Sequence, residues 1–272
     1  MSRASRSKPT MAEQADRHVL YEESVQDPES ELEFVAETFL AVTGRPLKFI
    51  REDFCGTANT ACYWVGSGKD HRAVGVDLDP EVLEWGRAHH LAGLSRDERS
   101  RIELVEGDVM TADTPAVDAV LAMNFSYYLF TTRDRLRAYF ESVRKRLVDD
   151  GVLFLDAFGG YEAHRELEER TEYDDFTYVW DQASFDPIQH AMTCQIHFEF
   201  PDDSALERAF EYHWRLWTLP EIREVLEEAG YASVEVYWEG TDEATGEGNG
   251  IYEPADTGDA DAGWICYVVA RP

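Results

Sequence analysis

Four polar residues stand where a chain of alternating strands and helices would present them to a ligand: Glu52, Asp77, Asp108 and Asn124. Glu52 belongs to Phe49-Ile50-Arg51-Glu52-Asp53-Phe54-Cys55-Gly56-Thr57-Ala58, which reads as a strand, a tight turn and the start of a helix. A turn of this kind brings backbone N–H groups close to a ligand at a helix N-terminus. Asp77 lies in Gly75-Val76-Asp77-Leu78-Asp79, at the tip of the next strand. An acid there, about 20 residues after the turn, accepts hydrogen bonds from ribose hydroxyls. The turn holds one glycine, Gly56, not the three of G-x-G-x-x-G, and it lacks G-K-[ST]. The chemistry indicated is nucleoside binding with little provision for a pyrophosphate.

Positioning these residues calls for a parallel sheet. Apolar residues at helical spacing (Leu32, Phe34, Val35, Phe39, Leu40, Val42) predict a helix over 30–43. Strands are predicted over 47–53, 73–77, 101–106, 116–123 and 152–158, with helices between them. Asp79-Pro80 supplies an N-cap and a first-turn proline for one of these helices, and another is predicted over 132–147. Strands alternating with helices argue for a parallel sheet covered on both faces, whose ligands bind at the carboxyl ends of the strands. Glu52, Asp77, Asp108 and Asn124 all fall at or just past such ends.

After Gly159-Gly160 the rhythm changes. Residues 176–181, 192–200 and 206–217 alternate apolar with polar side chains, which reads as a three-stranded antiparallel insert with one buried face. Thr218-Leu219-Pro220-Glu221 is a capping box for a helix that stops at Gly230. A strand over 232–238, an acidic glycine-rich loop over 239–261 and a last strand over 263–270 complete an α/β fold with a seven-stranded, mostly parallel sheet. The organisation expected is an unstructured start over 1–18, a core over 19–157 and 218–272, and a cap over 158–217. Met1 and Met11 both stay open as the initiator.

Of the 272 residues, 55 are acidic and 25 are Lys or Arg, a formal net charge of −30. Lysine occurs only at Lys8, Lys48, Lys69 and Lys145. Such a charge opposes compaction by self-repulsion, and salt screens it, the Debye length falling to about 3 Å at 1 M. The composition reads as adaptation to a salty cytoplasm, as in haloarchaea. It disfavours a nucleic-acid partner, because phosphates need a basic surface. The four cysteines form no C-x-x-C pair and the eight histidines no H-x-x-x-H pair. Adjacent His89 and His90 would point about 100° apart on a helix, so no metal site is expected. There is no run of about 18 apolar residues and no signal-peptide core, so a soluble, cytoplasmic protein without a membrane partner is expected.

On these motifs the chain resembles the class I S-adenosylmethionine-dependent methyltransferases of small-molecule type, over roughly residues 47–270. Glu52–Ala58 is similar to the family's acid-x-Gly-x-Gly-x-Gly, with Gly56 at the middle glycine and Phe54 and Ala58 replacing the outer two. Asp77, followed by Leu78, stands at the ribose-binding acid. Asp108-Val109 matches the motif whose acid accepts from the adenine amino group and whose next N–H meets the ring. Asn124-Phe125 stands where the family places methionine-side and substrate contacts. Residues 147–153 resemble its L-x-P-G-G turn, with the proline and first glycine changed. The resemblance implies a Rossmann-like class I methyltransferase fold and S-adenosyl-L-methionine as cofactor. It implies cofactor contacts from Glu52, Gly56, Asp77, Leu78, Asp108, Val109 and Asn124. The activity implied is in-line methyl transfer to a small-molecule acceptor.

The insert is similar to the cap of glycine and sarcosine N-methyltransferases. Tyr21, Phe125, Tyr128, Trp180, His213 and Arg215 are the candidate substrate contacts, with no catalytic base assigned, and Cys55 reads as a packing residue. Two other readings share the strand-end acids: an NAD(P)-dependent oxidoreductase, which calls for a glycine-rich pyrophosphate turn, and a non-catalytic S-adenosylmethionine-binding protein. Neither the acceptor atom nor the oligomeric state is written in the chain.

Overall fold

Short apolar runs bounded by helix caps set the order of the elements. The computed structural model describes residues 8–242, 244–246 and 248–272. Three helices come first: α1 (Met11–Gln14), α2 (Arg17–Val25) and α3 (Pro28–Thr43). Then follow β1 (Phe49–Asp53), α4 (Asn59–Ser67), β2 (Arg72–Asp77), α5 (Pro80–His89), α6 (Arg96–Arg99) and β3 (Ile102–Glu106). Next are β4 (Val117–Ala122), α7 (Arg133–Arg144) and β5 (Leu147–Gly159). Four strands succeed them: β6 (Leu167–Glu172), β7 (Thr177–Asp186), β8 (Ala191–Glu199) and β9 (Ala205–Arg215). The chain ends with α8 (Leu219–Glu228), β10 (Ser233–Thr241), β11 (Gly248–Pro254) and β12 (Trp264–Arg271). Two compact units result, one from 27–163 with 215–272, the other from residues up to Gln26 with His164–Trp214.

The larger unit is built on a sheet of order β11-β10-β12-β5-β4-β1-β2-β3. The five strands from β5 to β3 run parallel, and β12 is antiparallel to both β5 and β10. From β1 the chain moves outward through β2 and β3, then returns to β4 on the other side. The β1–β4 boundary is therefore the switch point at which such sheets bind ligands. Caps hold the helices as their sequences suggest. Asp27 with Pro28 opens α3, Asp79 with Pro80 opens α5, and Thr218 with Glu221 closes a capping box on α8. On one sheet face α3, α4 and α5 bury Val35, Phe39, Trp64 and Leu83 with Ile50, Leu121 and Phe154. On the other, α7 carries the buried Leu136, Tyr139, Phe140 and Val143.

The sheet has eight strands, not seven. The added strand, β11, arises inside the acidic segment expected to be a loop and pairs antiparallel with β10 at the sheet edge. Its sequence, Gly-Asn-Gly-Ile-Tyr-Glu-Pro, is almost wholly exposed, so burial imposes no apolar alternation for a reader to find.

The smaller unit is a sheet of order β6-β7-β8-β9. Phe176, Ile196 and Phe198 pack with Leu20 of α2, and Tyr178, Trp180, Phe210 and Tyr212 border that cluster. The three alternating strands are present, and β6 is a fourth. Its Leu-Glu-Glu-Arg-Thr-Glu is nearly all exposed and carries no period-two signal. The unstructured start expected through residue 18 is corrected from Met11 onward. Thr10 closes a capping box on α1 and Asp16 caps α2; residues 1–7 lie outside the described residues. The smaller unit spans 164–214, narrower than the expected 158–217, and includes α1 and α2.

Alternation along β1 sends Ile50 and Glu52 to the α4 face and Arg51 and Asp53 to the α7 face. Arg51 Nε donates to Asp53 Oδ1 at 2.6 Å, and both side chains are essentially inaccessible. The same guanidinium donates to Thr114 Oγ1 at 2.9 Å and to the Val109 carbonyl at 2.6 Å. Tyr139 donates its hydroxyl to Asp53 Oδ2 at 3.0 Å. Burial pushes the Asp53 carboxyl up while the Arg51 charge pulls it back down. A buried charge stripped of its partner costs about 3–5 kcal/mol. Arg51→Met should therefore lose stability of that order in urea denaturation at pH 7.5. Arg51→Met with Asp53→Leu should recover a large part of it; a double variant no more stable than the single one would count against the pair.

Candidate functional site

The turn after β1 takes a path that glycine would follow at least cost, with other residues in two of the three positions. Phe54, Gly56 and Ala58 have φ of 59°, 53° and 59°. A side chain in this left-handed region costs about 1–2 kcal/mol. Three backbone hydrogen bonds hold the path: Cys55 N–H to the Val76 carbonyl at 3.0 Å, Ala58 N–H to the Cys55 carbonyl at 2.7 Å, and Gly56 N–H to Asp77 Oδ2 at 2.8 Å. The Phe54 ring packs beside Phe130 and Tyr139, and Ala58 is fully buried. Space is made by neighbouring glycines. A side-chain carbon on Gly86 of α5 would run into the Thr57 carbonyl, and one on Gly75 of β2 would press on the Cys55 sulfur. Over Gly56 itself the space is open.

Glu52 lies beneath this turn, nine-tenths buried. Ala58, the N-cap of α4, has no side-chain acceptor. Glu52 Oε2 accepts from Ala61 N–H at 2.9 Å in its place. Burial, with the Asp77 and Asp53 charges added, pushes the Glu52 carboxyl to about 8. Cys55 is likewise pushed up by burial and by Glu52, Asp77 and Asp53. It is a buried, packed thiol.

Asp77 ends β2, one oxygen accepting from Gly56 N–H and the other from Asp79 N–H at 2.9 Å. Leu78 beside it is 71% exposed, unusual for so large an apolar side chain. Past β3, Asp108 is exposed and accepts from Met110 N–H at 2.8 Å. Val109 is buried, its carbonyl held by Arg51.

The turn past β4 is left-handed at both Asn124 (φ 55°) and Phe125 (φ 56°). Asp156 of β5 accepts from Asn124 N–H at 2.6 Å and from Phe125 N–H at 2.8 Å. Burial raises its carboxyl to about 7 against the pull of those two bonds. Tyr127 and Tyr128 donate to the carbonyls of Asp156 and Phe158, and burial pushes both phenols well up. Phe125 packs on Phe158 with ring centroids 4.7 Å apart.

Glu52, Gly56, Asp77, Leu78, Asp108, Val109, Asn124, Phe125 and Tyr128 thus line the carboxyl edge of one sheet around its switch point. Of the other expected contacts, Tyr21, Trp180 and His213 belong to the smaller unit and Arg215 to the larger. Tyr21 packs on Phe210 in the smaller unit, and Trp180 stands beside Tyr212 and Trp214. His213 is on the solvated face of β9, paired with Glu211 at 3.2 Å. Arg215, in the larger unit, pairs with Glu221 at 2.7 Å and lies over the Trp217 ring.

Sequence reasoning missed Asp156. Asp156 left a trace, a lone acid inside the apolar run 152–158. The donor set fits a nucleoside with a cationic end: carboxylates at the tips of β1 and β2, an exposed acid past β3, open space over Gly56 and an uncovered Leu78. Among the described residues no group of His, Cys, Asp or Glu has the arrangement of a metal site.

Residues 55–153 match the model of a methyltransferase domain. Among curated protein sequences none matches the chain. Solved structures do. One is an S-adenosylmethionine-dependent methyltransferase from Clostridium acetobutylicum, with 15% identity, TM-score 0.68, and 93% of this chain and 96% of that one covered. Another is CalS10, an amino pentose methyltransferase from Micromonospora echinaspora, with 18% identity, TM-score 0.65, and 94% and 96% covered. A third is the sugar N-methyltransferase KedS8 from a Streptoalloteichus species, with 16% identity, TM-score 0.62, and 100% and 98% covered. At these identities the structural likeness establishes the fold. The chain has the Rossmann-like class I methyltransferase fold, and within it residues 55–153 match a methyltransferase domain.

Proposed function

We propose that the chain transfers a methyl group from S-adenosylmethionine to a small-molecule amine by in-line displacement, with the cofactor held along the carboxyl edge of the larger unit's sheet. The observation that carries this reading is the convergence of Glu52, Asp77, Asp108 and the Asn124 turn on one switch point. Glu52 takes the cationic amino end of the cofactor, Asp77 the ribose hydroxyls, and Asp108 with the Val109 N–H the adenine. Leu78 covers the base, Gly56 leaves room for close backbone approach, and Asn124 lies on the methionine side. When bound, the cofactor supplies a methyl group already activated by positive sulfur. The protein's own task is alignment, an entropic gain that reaches about 7–11 kcal/mol in ideal intramolecular systems.

An amine suits this site because it needs little help from a base. Tyr127 and Tyr128 keep their protons and spend them on backbone carbonyls. The sugar N-methyltransferase among the similar structures supports the same class. Phe125 and Tyr128 are the proposed substrate contacts of the larger unit. Arg215, Tyr21, Trp180 and His213 are proposed on the family resemblance alone. The proposed setting is a salty cytoplasm: the net charge is −30, and no described helix is long and apolar enough to cross a membrane.

Calorimetry should show binding of S-adenosylmethionine and S-adenosylhomocysteine and none of NAD(H) or NADP(H). Methyl turnover should then appear with a panel of amino sugars and other small amines. Turnover confined to hydroxyl or thiol acceptors would reject the amine assignment. Asp77→Ala should weaken S-adenosylhomocysteine at least tenfold, about 1.4 kcal/mol, since the ribose loses its acceptor; unchanged affinity would remove Asp77 from the site. The melting temperature should rise from low to molar KCl as screening relieves the acidic repulsion, and a flat or falling curve would refute salt adaptation.

A further inference from the structure

Three exposed apolar side chains of the larger unit gather where β5 ends. Leu129, Tyr161 and Ile265 are 44%, 63% and 47% exposed. Ile265 of β12 is paired in register with Phe158 of β5, and side chains so paired stand next to each other on one face of a sheet. Phe158 meets the Phe125 ring at 4.7 Å and stacks on Tyr128 at 5.4 Å; Leu129 follows Tyr128. Past β5, Gly160 packs against the Ala262 carbonyl, which also accepts from Glu162 N–H at 2.9 Å. Tyr161 therefore lies beside the start of β12. Two residues beyond Ile265, on the same face, Tyr267 is stacked under Phe34 of α3 at 4.2 Å. Ile265 lies about 7 Å further toward the carboxyl edge, past that contact, and keeps nearly half its surface accessible.

No charge interrupts this surface. Residues 125–130, 157–161 and 263–268 contain no Asp, Glu, Lys or Arg, in a chain that is 29% charged. The exposed positions of β6 read Glu-Glu-Arg-Thr-Glu; here they read Leu, Tyr and Ile. The Tyr128 hydroxyl is spent on the Phe158 carbonyl. Exposed apolar patches mark interaction or ligand-binding surfaces, and small-molecule sites are lined mainly by apolar and aromatic side chains. Position selects the occupant. Phe125 follows Asn124, on the methionine side of the cofactor path, and Asp156 holds both N–H groups from the same strand that carries Phe158. The patch therefore adjoins the point at which the methyl group leaves.

Resting on the methyltransferase reading above, we propose that Ile265 is a specificity-determining residue. With Phe158 it forms a shelf for the body of the acceptor, and that acceptor is a hydrophobic amine, not a polyhydroxylated one. A hydroxyl withdrawn from water needs a hydrogen-bond partner, and the side chains of Ile265 and Phe158 offer none. An alkyl or aryl group gains by leaving water. Ile265 makes no hydrogen bond and carries no charge, so its effect is on the affinity of the acceptor and not on the alignment of the methyl group.

Ile265→Ser replaces an exposed side chain and should melt with the wild type. With S-adenosylmethionine, the wild type should use benzylamine and cyclohexylamine with kcat/KM at least roughly tenfold above that for D-glucosamine. Ile265→Ser should raise KM for benzylamine about fivefold or more, with kcat, the D-glucosamine kinetics and S-adenosylhomocysteine affinity unchanged. Ile265→Val should recover most of the loss. Ile251→Ser, at a 59% exposed site on the edge strand β11, should change nothing. An unaltered KM for benzylamine in Ile265→Ser, an equal rise in Ile251→Ser, or a wild type that prefers D-glucosamine overturns the role of Ile265 and leaves the methyltransferase reading standing. A wild type that binds S-adenosylmethionine but methylates none of the three amines overturns this proposal together with the amine acceptor. One that binds neither S-adenosylmethionine nor S-adenosylhomocysteine overturns the cofactor reading as well.

Discussion

The buried pair between Arg51 and Asp53 is the constraint on which the site rests. One guanidinium joins β1 to the segment after β3 through Thr114 and the Val109 carbonyl, while Asp53 joins β1 to α7 through Tyr139. The strand tip that carries Glu52, the turn past it and the Asp108-Val109 corner are therefore set by one side chain. Removing two charges from water is expensive, so the pair is poorly justified as a source of stability alone. Its value lies in geometry, since a planar fork with three fixed partners leaves the Val109 corner little freedom relative to β1.

Alternation makes this arrangement possible. Within five residues β1 sends a structural ion pair to one face and the acid Glu52 to the other. The two systems stay separated by the backbone, so Glu52 sits in a largely unneutralised environment although an arginine is its neighbour in sequence. A cation on the Glu52 face would cancel the field that suits a sulfonium. Placing Arg51 beneath the sheet keeps the upper edge negative and the lower layer neutral overall.

Much of this was legible before the structure. The five parallel strands, their order of appearance and the four polar tips follow from apolar runs and helix caps, because both faces of those strands are buried. What escaped was of two kinds. β6 and β11 are exposed edge strands, and exposure removes the alternation that marks a strand. Asp156 is held by contacts with residues remote in sequence, Asn124 and Phe125, so its surroundings exist only after β4 and β5 have paired. The turn was legible in outline and obscure in detail. Phe54 and Ala58 follow a left-handed path that their identities argue against. The glycines that make room for it, Gly75 and Gly86, lie in neighbouring elements and carry no motif.

The free energy tied up at the sheet edge has a common direction. Left-handed Phe54, Ala58, Asn124 and Phe125, and carboxyls raised by burial at Glu52, Asp156 and Glu31, all burden the free protein. Arg51 and Asp53, by contrast, satisfy each other. The imbalance is local, and it lies on the edge where a positively charged nucleoside is the expected ligand. Left-handed residues also occur in the smaller unit, at His190, Asp203 and Arg208, so it is the coincidence of such residues with raised carboxyls that sets this edge apart.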